Sequence, residues 1–381
     1  MRTITVAASW WKTGAVIFSF LTEAGRNMSM LGGSMKGGSK CMDGLALGPF
    51  RLPAVLGAEL GMENDLLVML PGALTKGKSR VLAASSDRRC GAVGEEQQHH
   101  VIYFPGDVQN YHSVMTQHPE NVRWQQWSLE DVAVLLSHRF PRSYIWIIKA
   151  SRMHLHKFSC YDHFVQSTLF GAPEHSTDFG AFRHLHKLLT NAFQMTPSIN
   201  LRNGVHTVHK ATNGHVLESH SAPAANGFFA NGDKCSKDGS FVFNPPHHSD
   251  CVSFTLIGFS KGCVVLNQLL YELQGTKSDE TLAAFIKNIK TIYWLDGGHP
   301  GGGNTWVTDA DVLKEFAWTG IAVHTHVTPY QVRDSMRSWI GKEHSKFVQT
   351  LRELGVQVDN QIHFESETPT LENHFRILEV F

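Results

Sequence analysis

The stretch FTLIGFSKGCVVLNQLL, Phe254 to Leu270, decides how the chain is read. Its first half is a continuous apolar run, the pattern of a strand covered on both faces. Its second half carries apolar residues at helical spacing. Between them, Gly258-Phe-Ser260-Lys-Gly262 matches G-x-S-x-G with the strand before and the helix after that this motif requires. Such a turn is sharp enough that the residues two before and two after the serine must lack side chains. It presents the serine oxygen above the carboxyl edge of a sheet, at a helix N-terminus, where developing negative charge is favoured. Ser260 is therefore the candidate nucleophile. The alternative is a small polar residue in a glycine-rich turn.

Working outward, apolar runs alternate with helical patterns. Asp65–Leu70, Arg80–Ser85, His99–Phe104, Ser143–Ala150, Cys251–Gly258, Lys290–Leu295, Gly320–Val327 and Val356–Phe364 read as strands. Helices are predicted within 175–194, over Lys261–Leu273, over Thr308–Phe316 with Thr308 or Asp309 as N-cap, over Val332–Leu354 ended by Gly355, and over Leu371–Val380. The alternation predicts an α/β protein: an α/β-hydrolase-like, doubly wound, mostly parallel sheet with a long polar insertion before the nucleophile strand. Residues 49–381 form its single domain, and the Asn-, Gly- and His-rich segment 196–250 is the insertion. Residues 25–48, rich in Gly, Ser and Met, read as a flexible linker, and residues 1–24 as a targeting leader. The leader's apolar run is too short to span a bilayer. On its residues alone it fits a secretory signal or a mitochondrial presequence.

The fold order places the rest of a catalytic site. One oxyanion donor is the backbone N–H of Lys261; the second belongs to the loop after HHVIYF, where Pro105 has no N–H and Gly106 or Asp107 must supply it. The general base falls after the last strand, at His374 in TLENHFR; His363 is nearby but on the strand itself. The orienting acid usually follows the penultimate strand, near Thr328 to Tyr330, where no carboxylate stands. Asp296, closing the preceding strand in YWLDGGHPGG, is the first choice and Asp334 the second.

Composition excludes other classes. Lys plus Arg (34) equals Asp plus Glu (34), so no basic field invites nucleic acid or an anionic membrane. Twenty-three histidines include HxH pairs such as His324-Thr-His326, which on a strand turn both rings to one face. No carboxylate stands at a recognisable spacing from them and no HExxH occurs, so neither a metal nor another cofactor is expected. The six cysteines form no CxxC pair and indicate neither a zinc knuckle nor a disulfide framework; Cys263 reads as a small buried hydrophobe. GGHPGGG lacks the lysine and spacing of a phosphate cradle and reads as a loop beside the site.

The strings HVIYFPGDVQNYH, LIGFSKGCVVLNQLLYEL, IYWLDGGHPGG and ENHFRILEVF resemble a vertebrate family of mitochondrial α/β-hydrolase-like proteins first named as a chromosome-2 open reading frame. The resemblance covers roughly residues 99 to 381, interrupted between 200 and 250. It implies a mitochondrial, matrix location, which favours the presequence over the secretory reading, and a link to respiratory-chain upkeep and energy metabolism. It implies Ser260 as nucleophile but no particular substrate. The expected activity is a serine hydrolase acting on an acyl ester, thioester or lipid-like small molecule. The rival is an inactive hydrolase-fold scaffold that binds a protein partner through 196–250, or a metabolite.

Overall fold

In the computed structural model, residues 48–73, 98–196 and 252–381 are described. The leader, nearly all of the linker, the strand predicted at Arg80–Ser85 and almost all of the insertion lie outside them. In chain order the elements are β1 (Phe50–Leu56), β2 (Glu63–Met69), β3 (Gln98–Phe104), α1 (His112–Met115), α2 (Leu129–Arg139) and β4 (Ser143–Ile148). Two small hairpins follow, β5 (Arg152–His154) with β6 (Phe158–Cys160) and β7 (Gln166–Ser167) with β8 (Pro173–Glu174), then α3 (Ala181–Met195). After the insertion come β9 (Val252–Phe259), α4 (Cys263–Thr276), α5 (Glu280–Lys287), β10 (Ile289–Leu295), α6 (Ala310–Ala317) and β11 (Ala322–Val327). The chain closes with α7 (Pro329–Val332), α8 (Trp339–Glu353), β12 (Val358–Ile362) and α9 (Leu371–Val380).

Eight strands form one sheet in the order β1-β2-β4-β3-β9-β10-β11-β12. β2 runs antiparallel to both of its neighbours, β1 and β4, and every other pairing is parallel. Counted one to eight along the chain, the strands lie 1-2-4-3-5-6-7-8 across the sheet. This is the α/β-hydrolase arrangement, and it puts the carboxyl ends of β3, β9, β10 and β11 side by side. The period-two rule explains how one sheet serves two cores. Leu66, Val68, Ile102, Trp146 and Ile148 face one cluster, with α3, α4 and α8 packed on it. Leu67, Met69, Val101, Tyr103, Ile145 and Ile147 face the other, covered by α2 and α9. Strands buried on both faces read as the unbroken apolar runs seen in the sequence.

Two predicted helices differ from those observed. The helix sought within 175–194 begins at Ala181, because its cap is not local. The buried Glu272 of α4 accepts the N–H groups of Gly180, Ala181 and Phe182 at 2.9, 2.8 and 3.1 Å. The helix expected over Val332–Leu354 is divided into α7, a 3-10 turn over Ser335–Arg337 and α8. Asp334 is the divider: extended at ψ 116, it accepts the Met336 N–H at 2.8 Å and the Arg337 Nε–H at 2.7 Å.

Candidate active site

β9 ends at Phe259 and the chain turns at once through a 3-10 turn, Ser260–Gly262, into α4. Ser260 has φ +50, a left-handed value that a non-glycine residue adopts at a cost and that clusters at functional sites. Both glycines of the motif are required, each by a different neighbour. A Cβ on Gly258 would lie 2.9 Å from the Cys263 Cα, so β9 and the head of α4 nearly touch. A Cβ on Gly262 would lie 1.9 Å from the carbonyl oxygen of Phe104, so it is the end of β3 that forbids a side chain there. A Cβ on Gly106 would lie 2.8 Å from that of Ser260, which sets the loop after β3 directly against the serine. Cys263 is buried with its thiol 3.2 Å from the Gly258 carbonyl, and burial pushes that thiol up, away from reactivity.

Among the three residues proposed as base and acids, two meet. His374 Nδ1 lies 2.7 Å from Asp296 Oδ2, and both side chains are buried. Asp296, like Ser260, is a left-handed non-glycine, with φ +46. Its carboxylate also accepts the Thr328 N–H at 2.7 Å and the Thr328 hydroxyl at 2.6 Å. The usual position of the acid is thus filled by a threonine that holds the acid of the neighbouring strand. Asp334 does not join them; its carboxylate serves the turn and ion pair already described. His363 is also elsewhere, bonded through Nε2 to His326 Nδ1 at 2.8 Å.

His374 is set by the packing of α9. Thr370 caps that helix, its hydroxyl accepting the Asn373 N–H, and Phe375 stacks against both Trp124 and Trp127 at centroid distances of 5.0 and 5.1 Å. The His374 ring lies 4.7 Å from the Phe259 ring and 5.3 Å from the Tyr330 ring. With Nδ1–H given to Asp296, the ring presents its other nitrogen as a proton acceptor. The Ser260 hydroxyl itself makes no hydrogen bond among the described residues, and in ligand-free sites that bond is often long.

Of the two donors considered after β3, Gly106 is spent: its N–H bonds Gln109 Oε1 at 2.8 Å, and Gln109 also takes the Tyr103 hydroxyl at 2.8 Å. Asp107 N–H is unused among the described residues. Lys261 N–H opens the helical turn, where no intrahelical acceptor exists.

Sequence reasoning missed the side chain of Lys261 and the hairpins that cover it. The ammonium is fully buried, donates to the Phe170 carbonyl at 2.8 Å and lies 3.7 Å from Asp107 Oδ1. Burial draws Lys261 below its ordinary range and pushes Asp107 above its own, while their mutual attraction opposes both shifts. Further bonds fasten the hairpins over the loop after β3: Ser159 Oγ to the Gly106 carbonyl at 2.8 Å, Ser159 N–H to Asp107 at 2.8 Å, and Tyr161 hydroxyl to the Pro105 carbonyl at 2.6 Å. Ser260 is only 6% exposed beneath this cover. Strands of two or three residues leave no periodicity to find in a sequence.

The family model C2orf69 matches residues 51–357. The chain belongs to the C2orf69 family. Mitochondrial protein C2orf69 of Homo sapiens is 56% identical over 338 residues, covering 87% of this chain and 86% of that protein. The C2orf69 homologue of Danio rerio, also named a mitochondrial protein, is 42% identical over 364 residues, 95% of this chain and 93% of its own. Among solved structures, brefeldin A esterase aligns with a TM-score of 0.36 and 10% identity, over 99% of this chain and 81% of its own. The fold rests on the strand order and the sharp strand-to-helix turn at Ser260 rather than on that likeness.

Proposed function

We propose that this chain is a mitochondrial serine hydrolase of the esterase, thioesterase or lipase type. The observation that carries the reading is the Asp296–His374 pair, 2.7 Å apart and held by Thr328, with the His374 ring 4.7 Å from that of Phe259, the residue before a serine at φ +50. Ser260 Oγ attacks the acyl carbonyl as His374 takes its proton. The histidine then protonates the leaving group, and the acyl-enzyme is released by water activated the same way. Asp296 fixes the tautomer and stabilises the imidazolium. Lys261 N–H and Asp107 N–H receive the oxyanion, a role worth about 2.7–4 kcal/mol per donor where one has been removed elsewhere. No cofactor is required by this chemistry, and an acyl ester or lipid-like small molecule is the substrate.

Residues 1–24 serve as presequence and residues 25–48 as linker to a hydrolase-like domain over 49–381. The mitochondrial names of the human and zebrafish relatives support a mitochondrial location, and the matrix is the compartment the family resemblance implies. The family resemblance supports a role in respiratory-chain and energy metabolism. The test is hydrolysis of acyl esters and acyl thioesters of graded chain length by the pure protein and by Ser260→Ala. Turnover that survives the substitution at wild-type rate overturns the proposal.

A second reading is favoured by one feature, the near-complete cover of Ser260. An inactive scaffold that binds a protein through 196–250, or a metabolite, needs no open site. It predicts that Ser260→Ala rescues a knockout as fully as the wild-type chain does.

A further inference from the structure

His324 and His326 alternate with Thr325 on β11 and so share a face of the sheet. No acid stands near them in sequence, but β12 runs parallel beside β11 with Asp359 paired to His324. His324 Nδ1 lies 3.3 Å from Asp359 Oδ2. One ligand atom from each of His324, His326 and Asp359 lies within 4.8 Å of the other two. The missing carboxylate of the HxH pair is thus supplied by pairing between strands rather than by spacing along the chain.

His326 gives the second observation. It is 3% exposed, its Nδ1 is bonded to His363 Nε2 at 2.8 Å, and its own Nε2 is buried with no hydrogen-bond partner. A buried polar atom left unpaired is destabilising, so its retention asks for a ligand. The arrangement matches a metal-ligating histidine, whose other ring nitrogen is held by an outer partner that fixes the tautomer. The Tyr293 ring, stacked on His324 at 4.2 Å and on His326 at 6.0 Å, walls the cluster on the β10 side. Arg139 is the nearby cation, and its guanidinium is engaged on the Phe381 ring at 4.0 Å and by the Glu379 carbonyl at 3.5 Å. Of the ligands, His324 and Asp359 reach solvent, which gives an ion a way in.

We propose that His324, His326 and Asp359 form a binding site for a borderline divalent transition metal, of which Zn²⁺ is the type, with His363 as the outer partner of His326. Two imidazoles and one carboxylate suit zinc, leaving a fourth position for water. The ion pins the edge strand β12 to β11. Because the His326 carbonyl accepts the Asp296 N–H at 2.7 Å, the same strand end positions the candidate catalytic acid. The site stands independently of any hydrolase activity.

The test uses full-length protein stripped of metal, with Zn²⁺ binding measured by equilibrium dialysis and Co²⁺ as the spectroscopic probe of geometry. Wild type should show a Zn²⁺ equivalent that His324→Ala and Asp359→Asn lack, and the intense visible bands of low-coordinate Co²⁺. His363→Ala should weaken binding about 10–100-fold, as loss of an outer partner does. Zn²⁺ should raise the melting temperature of wild type but not of Asp359→Asn, since only the folded state offers the site. His324 and Asp359 are partly exposed, so these variants should fold. The same Zn²⁺ stoichiometry and affinity in wild type and both variants would assign the metal to other histidines and overturn the proposal, as would no binding to wild type.

Discussion

At the scale of single residues, the site depends on a division of labour the sequence shows only in part. Ser260 and His374 are legible because motif and chain order place them. The acid is legible only as a choice between Asp296, placed first, and Asp334, because the expected position holds no carboxylate. Thr328 resolves this: both its N–H and its hydroxyl reach Asp296. Asp296→Asn preserves shape but removes the preference for Nδ1–H on His374. It should lower the rate of acylation by on the order of 10⁴-fold, the loss known for this change in another serine hydrolase, with little change in stability. Thr328→Val leaves the N–H bond and should act as a weaker positioning defect, with kcat falling and KM nearly constant. Equal, negligible effects of both in single-turnover acylation would exclude Asp296 as the orienting acid.

At the scale of elements, close backbone approach and long-range caps matter most. Gly262 sits where β3, β9 and α4 meet. Gly262→Ala must displace the Phe104 carbonyl, 1.9 Å from the added carbon. It should destabilise by about 1–3 kcal/mol or more, the usual range for overpacking, read as a lowered urea midpoint. Glu272 is the comparable device on α3. Removing its carboxylate by Glu272→Ala strands three amides of the helix N-terminus. The cost should reach at least about 3 kcal/mol, above that of an ordinary lost cap, because all three donors are left without a local substitute. A loss under about 1 kcal/mol would show that water replaces Glu272 there. This cap also explains why the start of α3 was not legible: its stop-and-start chemistry lies ninety residues away in sequence. The start of α6 was legible because Asp309 caps it locally, its side chain accepting the Asp311 and Val312 N–H groups.

For the whole molecule, the parallel sheet was legible because strands buried on both faces have few polar residues to confuse the pattern. β1 was not, since Pro53 and a break in register between Leu52 and Val55 interrupt it. The interior also contains histidines that folding keeps neutral. Burial lowers His100 and His299 each to about 3 from an ordinary 6.5. The unfolded chain binds these protons first, so the associated stability is complete above the unfolded value and is lost as pH falls toward the folded one. Between about pH 8 and pH 5, each should cost about 2 kcal/mol. Urea unfolding at the two pH values measures this. His100 accepts the Trp146 Nε1–H at 3.1 Å and packs among Tyr144, Phe193 and Phe254. His100→Phe should therefore flatten the acid loss by one such step, whatever its effect at neutral pH. Identical acid slopes in wild type and variant would contradict the assignment.

The most direct test of the central claim is reaction of the purified, full-length protein with a fluorophosphonate, followed by mapping of the modified peptide. A single adduct on Ser260 is expected, absent from a folded Ser260→Ala chain and much slower to form in Asp296→Asn. A folded wild-type protein that takes no adduct at Ser260 would contradict that claim.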